Sequence, residues 1–128
     1  MSAVTVTITG HLAATPELRT TKGGTPVTDF RVIGTDRYFD QDFGDWADGR
    51  TTAIRVTAWG DLAEHVVATL ATGHHVTVTG SELETSPYTH RETGELRAGL
   101  ELTANRVTVE LDHQTAAITK ARRRPVDE

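Results

Sequence analysis

The sequence contains no cysteine, which excludes disulfide cross-links, thiolate zinc sites and cysteine catalysis and fits a reducing compartment. Aromatic residues are scarce at 5%, so any aromatic site must be built from a handful of side chains. No run approaches the ~18 apolar residues that span a bilayer. The first ten residues, Met1 to Gly10, alternate in polarity and lack the basic and apolar regions of a secretory signal. The expectation is a soluble cytoplasmic protein with no membrane partner. Positive charge is also short. The net charge is −5, and residues 1–112 hold nine basic against sixteen acidic residues. Phosphate binding relies on clustered cations, so bulk charge argues against a polyanion partner and any such role has to rest on local arrangement.

What is present is strand signal, in a chain of 128 residues that suits one domain. Val4, Val6 and Ile8 alternate with Thr5, Thr7 and Thr9, the period of a half-buried strand, and Gly10 predicts a break or bulge before Leu12. A second strand is predicted over Thr25 to Thr35. Residues 36–51, acidic, glycine-punctuated and aromatic, read as a long hairpin loop, followed by a third strand from about Thr52 to Trp59. Asp61 as N-cap with Glu64 as capping-box partner predicts a helix, carrying Leu62, Val66 and Leu70 on one stripe and ending at Gly73. A fourth strand covers His74 to Leu83. The fifth starts near Ala98, with a phase change that predicts a bulge near Asn105. The tail, 113–128, with Arg122-Arg123-Arg124-Pro125, reads as a frayed helix or a flexible extension of the domain at 1–112.

The order β-β-β-α-β-β has too few helices for a parallel α/β fold and too few strands for an immunoglobulin-like sandwich. It fits an all-β, five-stranded Greek-key barrel of the OB type, with one α-helix between strands three and four. Such barrels bind oligonucleotides, oligosaccharides or proteins, so fold alone leaves function open.

Four collinear stretches carry a resemblance. They are Thr9-Gly-His-Leu-Ala-Ala-Thr-Pro-Glu-Leu-Arg19, Ile54-Arg-Val-Thr-Ala-Trp-Gly-Asp-Leu-Ala-Glu64, Leu70-Ala-Thr-Gly-His-His-Val-Thr-Val-Thr-Gly80 and Leu83-Glu-Thr-Ser-Pro-Tyr88. Together they resemble bacterial single-stranded DNA-binding proteins over roughly residues 4–110. Arg37-Tyr-Phe-Asp40 and Asp45-Trp46 are most similar to the actinobacterial branch. The resemblance implies sequence-independent binding of single-stranded DNA in replication, recombination or repair, and a homotetramer. Departures accompany it. Ala53 stands where the family usually has an aromatic, and Asp61 and Thr72 stand where lysines are common. The family's acidic C-terminal tip is missing, so recruitment of repair proteins by that route is not expected.

A sequence-tolerant binder needs flat rings for bases and cations for phosphates along one groove. Trp59 and Arg55 share one face of strand three, opposite Ile54, Val56 and Ala58, about 13 Å apart at strand rise. The bland alternative is a core tryptophan at a barrel corner and a solvated arginine. By the resemblance Phe39 and Tyr88 match further stacking positions, against a role in pinning their own loops. Trp46 lies further out on the acidic loop, where loop packing is the rival. Arg31, Arg37, Arg91 and Arg97 are candidate phosphate contacts that could equally be solvated charges. Arg19 and Arg106 read as partners of nearby carboxylates.

Catalysis is not expected. Adjacent His74 and His75 point to opposite faces of a strand, and the other histidines lack metal-binding spacing. Asp40, Asp42, Asp45 and Asp48 form a loosely calcium-like run with no closing glutamate, so no metal and no cofactor is expected. The remaining rival is a barrel of the same type that docks protein or carbohydrate and ignores nucleic acid.

Overall fold

The computed structural model describes residues 3–121. In chain order the elements are β1 (Thr5–Leu12), β2 (Arg19–Thr20), β3 (Pro26–Asp40), β4 (Asp45–Trp59), α1 (Asp61–Thr69), β5 (His75–Thr85), β6 (Tyr88–Thr89), β7 (Leu96–Arg97) and β8 (Leu100–Val109). The five predicted strands are β1, β3, β4, β5 and β8. They follow one another as β1-β5-β8-β4-β3, and a further β1–β3 pairing closes the ring. Every contact in the ring is antiparallel except β4–β8, which is parallel. This is the five-stranded OB barrel with its helix between the third and fourth barrel strands.

The inward residues of each strand supply the core. Ile8 and Leu12, Phe30 and Val32, Ile54 and Val56, Val76 and Val78, and Leu102 are buried together. Removing each such side chain from water contributes about 1.5–3 kcal/mol. From α1, Ala63, Val66 and Leu70 join them, with Leu62 packed at the edge. Thr28 is the one buried polar side chain among the described residues, and its hydroxyl donates to the Glu17 carbonyl at 2.8 Å.

Gly10 neither breaks nor bulges β1, whose pairing with β5 runs unbroken from Thr5 to His11. Its lack of a side chain serves closure instead. A Cβ there would lie 2.1 Å from the Ile33 carbonyl oxygen, beside the β1–β3 pairs His11–Ile33 and Leu12–Val32.

Other expectations are corrected in detail. Residues 36–51 are mostly strand, because β3 and β4 continue outward as a two-stranded ribbon joined by a turn at 41–44. Pairing across the ribbon overrides the weak strand propensity of Asp and Gly. The helix cap is Gly60, at φ 67°, so Asp61 is the first helical residue and the anticipated capping box does not form. Asp61 and Glu64 occupy the first turn, where carboxylates meet the positive end of the helix dipole. The helix ends at Leu70, and Gly73 sits in the following turn, donating to the Leu12 carbonyl. The predicted bulge is present: pairing steps from Thr79–Arg106 to Gly80–Ala104 and leaves Asn105 out.

Residues 110–121 form neither helix nor strand. The Gln114 side-chain amide still pairs with the His75 backbone, accepting from its N–H at 3.1 Å and donating to its carbonyl at 2.7 Å. The Arg122–Arg124 run lies outside the described residues.

Candidate nucleic-acid interface

Strand parity decides which side chains share a surface. With Phe30, Val32, Ile54 and Val56 inside, the outer face of the β3–β4 ribbon carries the register pairs Asp29–Thr57, Arg31–Arg55, Ile33–Ala53 and Thr35–Thr51. A bulge then sets Asp36 against both Gly49 and Arg50, since pairing resumes at Arg37–Asp48. The extra residue on β4 restores phase, so Arg37–Asp48 and Phe39–Trp46 continue the same outer face. Trp59, paired with Val27, stands at the barrel end of that row. Six candidate residues from two segments of the chain thus line one surface about 40 Å long at strand rise.

The rings are open to solvent. Trp59 is 49% exposed, which rejects the core reading, and Tyr88, Phe39 and Trp46 are similarly open. Phe39 and Trp46 meet edge to face, with centroids 5.8 Å apart and planes at 77°. Phe43 at the ribbon turn is 85% exposed and is missing from the candidates read from the sequence, because none of the resembling stretches includes it.

Beside the ribbon, the β6–β7 hairpin lays Tyr88 against Gly99, where an added Cβ would be 3.3 Å from the ring and 2.5 Å from the Ser86 carbonyl oxygen. Tyr88, Ala98, Gly99, Leu100 and Glu101 form one wall of a groove of about 320 Å³, and Arg31, Ala53 and Arg55 form the other. The alanine at position 53 leaves space between Tyr88 and the ribbon. A second hollow of about 310 Å³ lies across Arg31 and Arg55, bounded by Ala13, Ala14, Thr15, Asp29 and Phe30. The two arginines are therefore shared by both depressions.

Charge on this surface departs from the bulk value. Arg19 and Arg55 gather around a single carboxylate, Asp29, and Arg31 lies two residues along the same face of β3. Arg19 and Arg55 both donate to Asp29 Oδ2, at 2.6 and 2.8 Å, and the Thr57 hydroxyl donates to Oδ1 at 2.9 Å. Arg19 thus finds the carboxylate partner predicted for it. Burial opposes ionisation of Asp29, but the bonds from Arg55 and Thr57, with the charges of Arg55 and Arg19, outweigh it and hold the carboxyl below its ordinary range. In return the Asp29 hydrogen bond and charge hold Arg55 above its own ordinary range. Arg31 has no ion pair among the described residues.

The remaining cations are dispersed. Arg37 pairs with Asp48 at 2.9 Å on the open ribbon, a contact worth little in water. Arg97 is opposite Tyr88 on the hairpin and lies 3.6 Å from Glu95, while Arg91 is at the hairpin turn. Neither lines the groove. Arg106, expected to pair, makes no ion pair among the described residues. Glu101 in the groove wall and Asp29 are the acidic members that sequence reading missed, since an isolated carboxylate on a strand carries no motif.

No helix of the described residues is long and apolar enough to cross a membrane. Nor do the described residues include three or more His, Asp or Glu side chains grouped to hold a metal.

An exposed row of rings and guanidinium groups on a closed five-stranded barrel is one observation; the match of residues 3–110 to the profile of the single-strand binding protein family is the second. The chain belongs to that family. The single-stranded DNA-binding protein of Mycolicibacterium smegmatis is 39% identical over 119 residues, which are 93% of this chain and 71% of the relative. The protein of the same name from Corynebacterium glutamicum is 36% identical over 118 residues, covering 92% of this chain and 52% of the relative. In three dimensions the chain is similar to the small single-stranded DNA-binding protein of Streptomyces coelicolor. That crystal structure has a TM-score of 0.76 and 29% identity, and the similarity covers 89% of this chain and 100% of that one. Family membership agrees with the four sequence stretches, and the actinobacterial likeness agrees with these sources.

Proposed function

We propose that this chain binds single-stranded DNA without sequence preference and protects it during replication, recombination or repair. Bases stack on Trp59, Tyr88, Phe39 and Trp46, while Arg31 and Arg55, helped by Arg37, Arg91 and Arg97, meet the phosphates. The observation that carries this reading is the register of β3 with β4, which puts Trp59, Arg55, Arg31, Arg37, Phe39 and Trp46 on one outer face. Every base offers a π-face, so such a row is indifferent to sequence. The activity is binding rather than catalysis, in the cytoplasm, by the unit at 1–112 with 113–128 as an appendage.

The assembly we propose is a homotetramer. The outer face of β1 and β5 supports it with a ladder of short, hydrogen-bonded hydroxyl side chains, Thr9 to Thr77 at 2.8 Å and Thr7 to Thr79 at 3.3 Å.

Titration with oligothymidylate at low salt tests the function, with tryptophan fluorescence as the signal. Quenching that reverses with added salt is the expected result. Unchanged fluorescence together with no mobility shift would end the reading and favour a protein- or carbohydrate-docking barrel.

A further inference from the structure

Asp29 is the carboxylate that ion-pairs with the arginines a phosphate would seek, whereas Glu101, which stands beside Arg55 in the groove wall, makes no ion pair among the described residues. Asp29 stands on the outer face of β3, directly opposite Thr57 and two residues from Arg31, in the wall of the second hollow. Its side chain is only 17% exposed, whereas those of Arg19 and Arg55 are 61% and 55% exposed. The carboxylate is held inside and the guanidinium groups face outward. Oδ2 takes both arginines and Oδ1 takes Thr57, so the charge has fixed partners at each oxygen.

A cation already neutralised by a carboxylate releases fewer counterions when it meets a phosphate than a free one does. Arg55 lines both depressions on the groove, yet it arrives there with part of its charge spent on Asp29. Building on the single-stranded DNA reading above, we propose that Asp29 is an affinity-setting residue: a built-in counter-charge that competes with DNA phosphates for Arg55 and Arg19. It keeps binding weaker and less steeply salt-dependent than three clustered arginines would otherwise make it. The consequence is a strand that exchanges readily, in a barrel whose stacking row stays intact.

The test is Asp29→Asn, which keeps an oxygen for Thr57 and removes the charge. Binding of a labelled oligothymidylate is measured by anisotropy over a salt series. Freeing one more cation steepens the log–log salt slope by about 0.7 and tightens binding about eightfold at roughly 50 mM salt, with the gain fading toward 1 M. In an Arg55→Gln background the same substitution is expected to give half that gain or less, because one of its two routes is gone. A gain that persists in full there would reduce Asp29 to a general field effect and overturn the competition. Equal or weaker binding by Asp29→Asn, while the unaltered chain binds, would overturn the proposal and leave the functional reading standing. No binding by the unaltered chain would instead overturn the functional reading. Should Asp29→Asn fail to melt cooperatively, Asp29→Ser provides the same readout at this strand position.

Discussion

Phe39 and Trp46 face each other across the outer half of the β3–β4 ribbon, ring edge against ring face at a centroid separation of 5.8 Å. One ring face is consumed by this contact, so the pair offers a base less free surface than two isolated rings would. Such a pair contributes about 0.5–1.5 kcal/mol beyond area burial. Phe39→Ala and Trp46→Ala are therefore expected to weaken oligothymidylate binding, each by less than Trp59→Ala does. Their effects should also fail to add, since either change dissolves the same pair. Anisotropy titrations of the two single variants and the double variant check this; strictly additive losses would show two independent stacking sites.

Trp59 has no such ring partner among the described residues. Half exposed at the barrel end of the row, it can stack a base on an open face. Trp59→Ala is expected to cost roughly 1–3 kcal/mol of binding, the usual range for one stacked base. The melting temperature should move little, because Trp59 is not part of the buried core, which keeps its packing. Loss of cooperative melting in this variant would return Trp59 to the core.

The barrel was legible because its strands obey simple alternation: Val6 and Ile8, Ile54 and Val56, Val76 and Val78 mark inward faces without any tertiary knowledge. The same parity placed Arg55 and Trp59 together correctly. It failed over residues 36–51, where aspartates and glycines hide a period that only cross-strand pairing enforces. The bulge at Asp36 that brings Phe39 and Trp46 into phase with Arg31 and Arg55 was lost with that segment. Asp29 was missed for a different reason. Periodicity assigns a face, but it cannot say that one aspartate on that face will meet Arg19 from β2, Arg55 from β4 and Thr57 at once. The parallel β4–β8 pairing that brings Glu101 beside Arg55 is equally invisible along the chain.

Two glycines separate the barrel from its groove. At Gly10 a Cβ would lie 2.1 Å from the Ile33 carbonyl oxygen, at the seam that closes the ring. Neither strand can withdraw without opening the seam, and overpacking of this kind costs about 1–3 kcal/mol or more. Gly10→Ala is expected to lower the melting temperature markedly. At Gly99 the clash, 2.5 Å from the Ser86 carbonyl oxygen, falls at the root of the β6–β7 hairpin, where Ser86 also donates to the Gly99 carbonyl at 2.9 Å. Gly99→Ala is expected to displace Tyr88 and weaken oligothymidylate binding, with melting close to that of the unaltered chain. Calorimetry and titration on both variants give the comparison; the same loss of stability in each would tie the hairpin to the barrel.

The Asp29 network also makes an acid-stability prediction whose sign follows from proton binding. Arg55, Thr57 and Arg19 hold the folded-state carboxyl below the ordinary value, which for an unfolded aspartate is about 4. Above that value the carboxylate is ionised in both states and the network's stabilisation is fully present. As pH falls below about 4 the unfolded chain takes up the proton first, so acid favours unfolding. The contribution then drains away until the folded carboxyl is protonated as well. Other carboxylates titrate in the same window, so the informative quantity is a difference between two proteins. The melting temperature of the unaltered chain minus that of Asp29→Asn is expected to be positive near neutrality and to shrink as pH falls below about 4, where the two curves converge. A gap that stayed constant through that window would mean that the carboxyl titrates alike in both states, and that hydrogen-bond geometry rather than charge holds Arg55 and Arg19 in place.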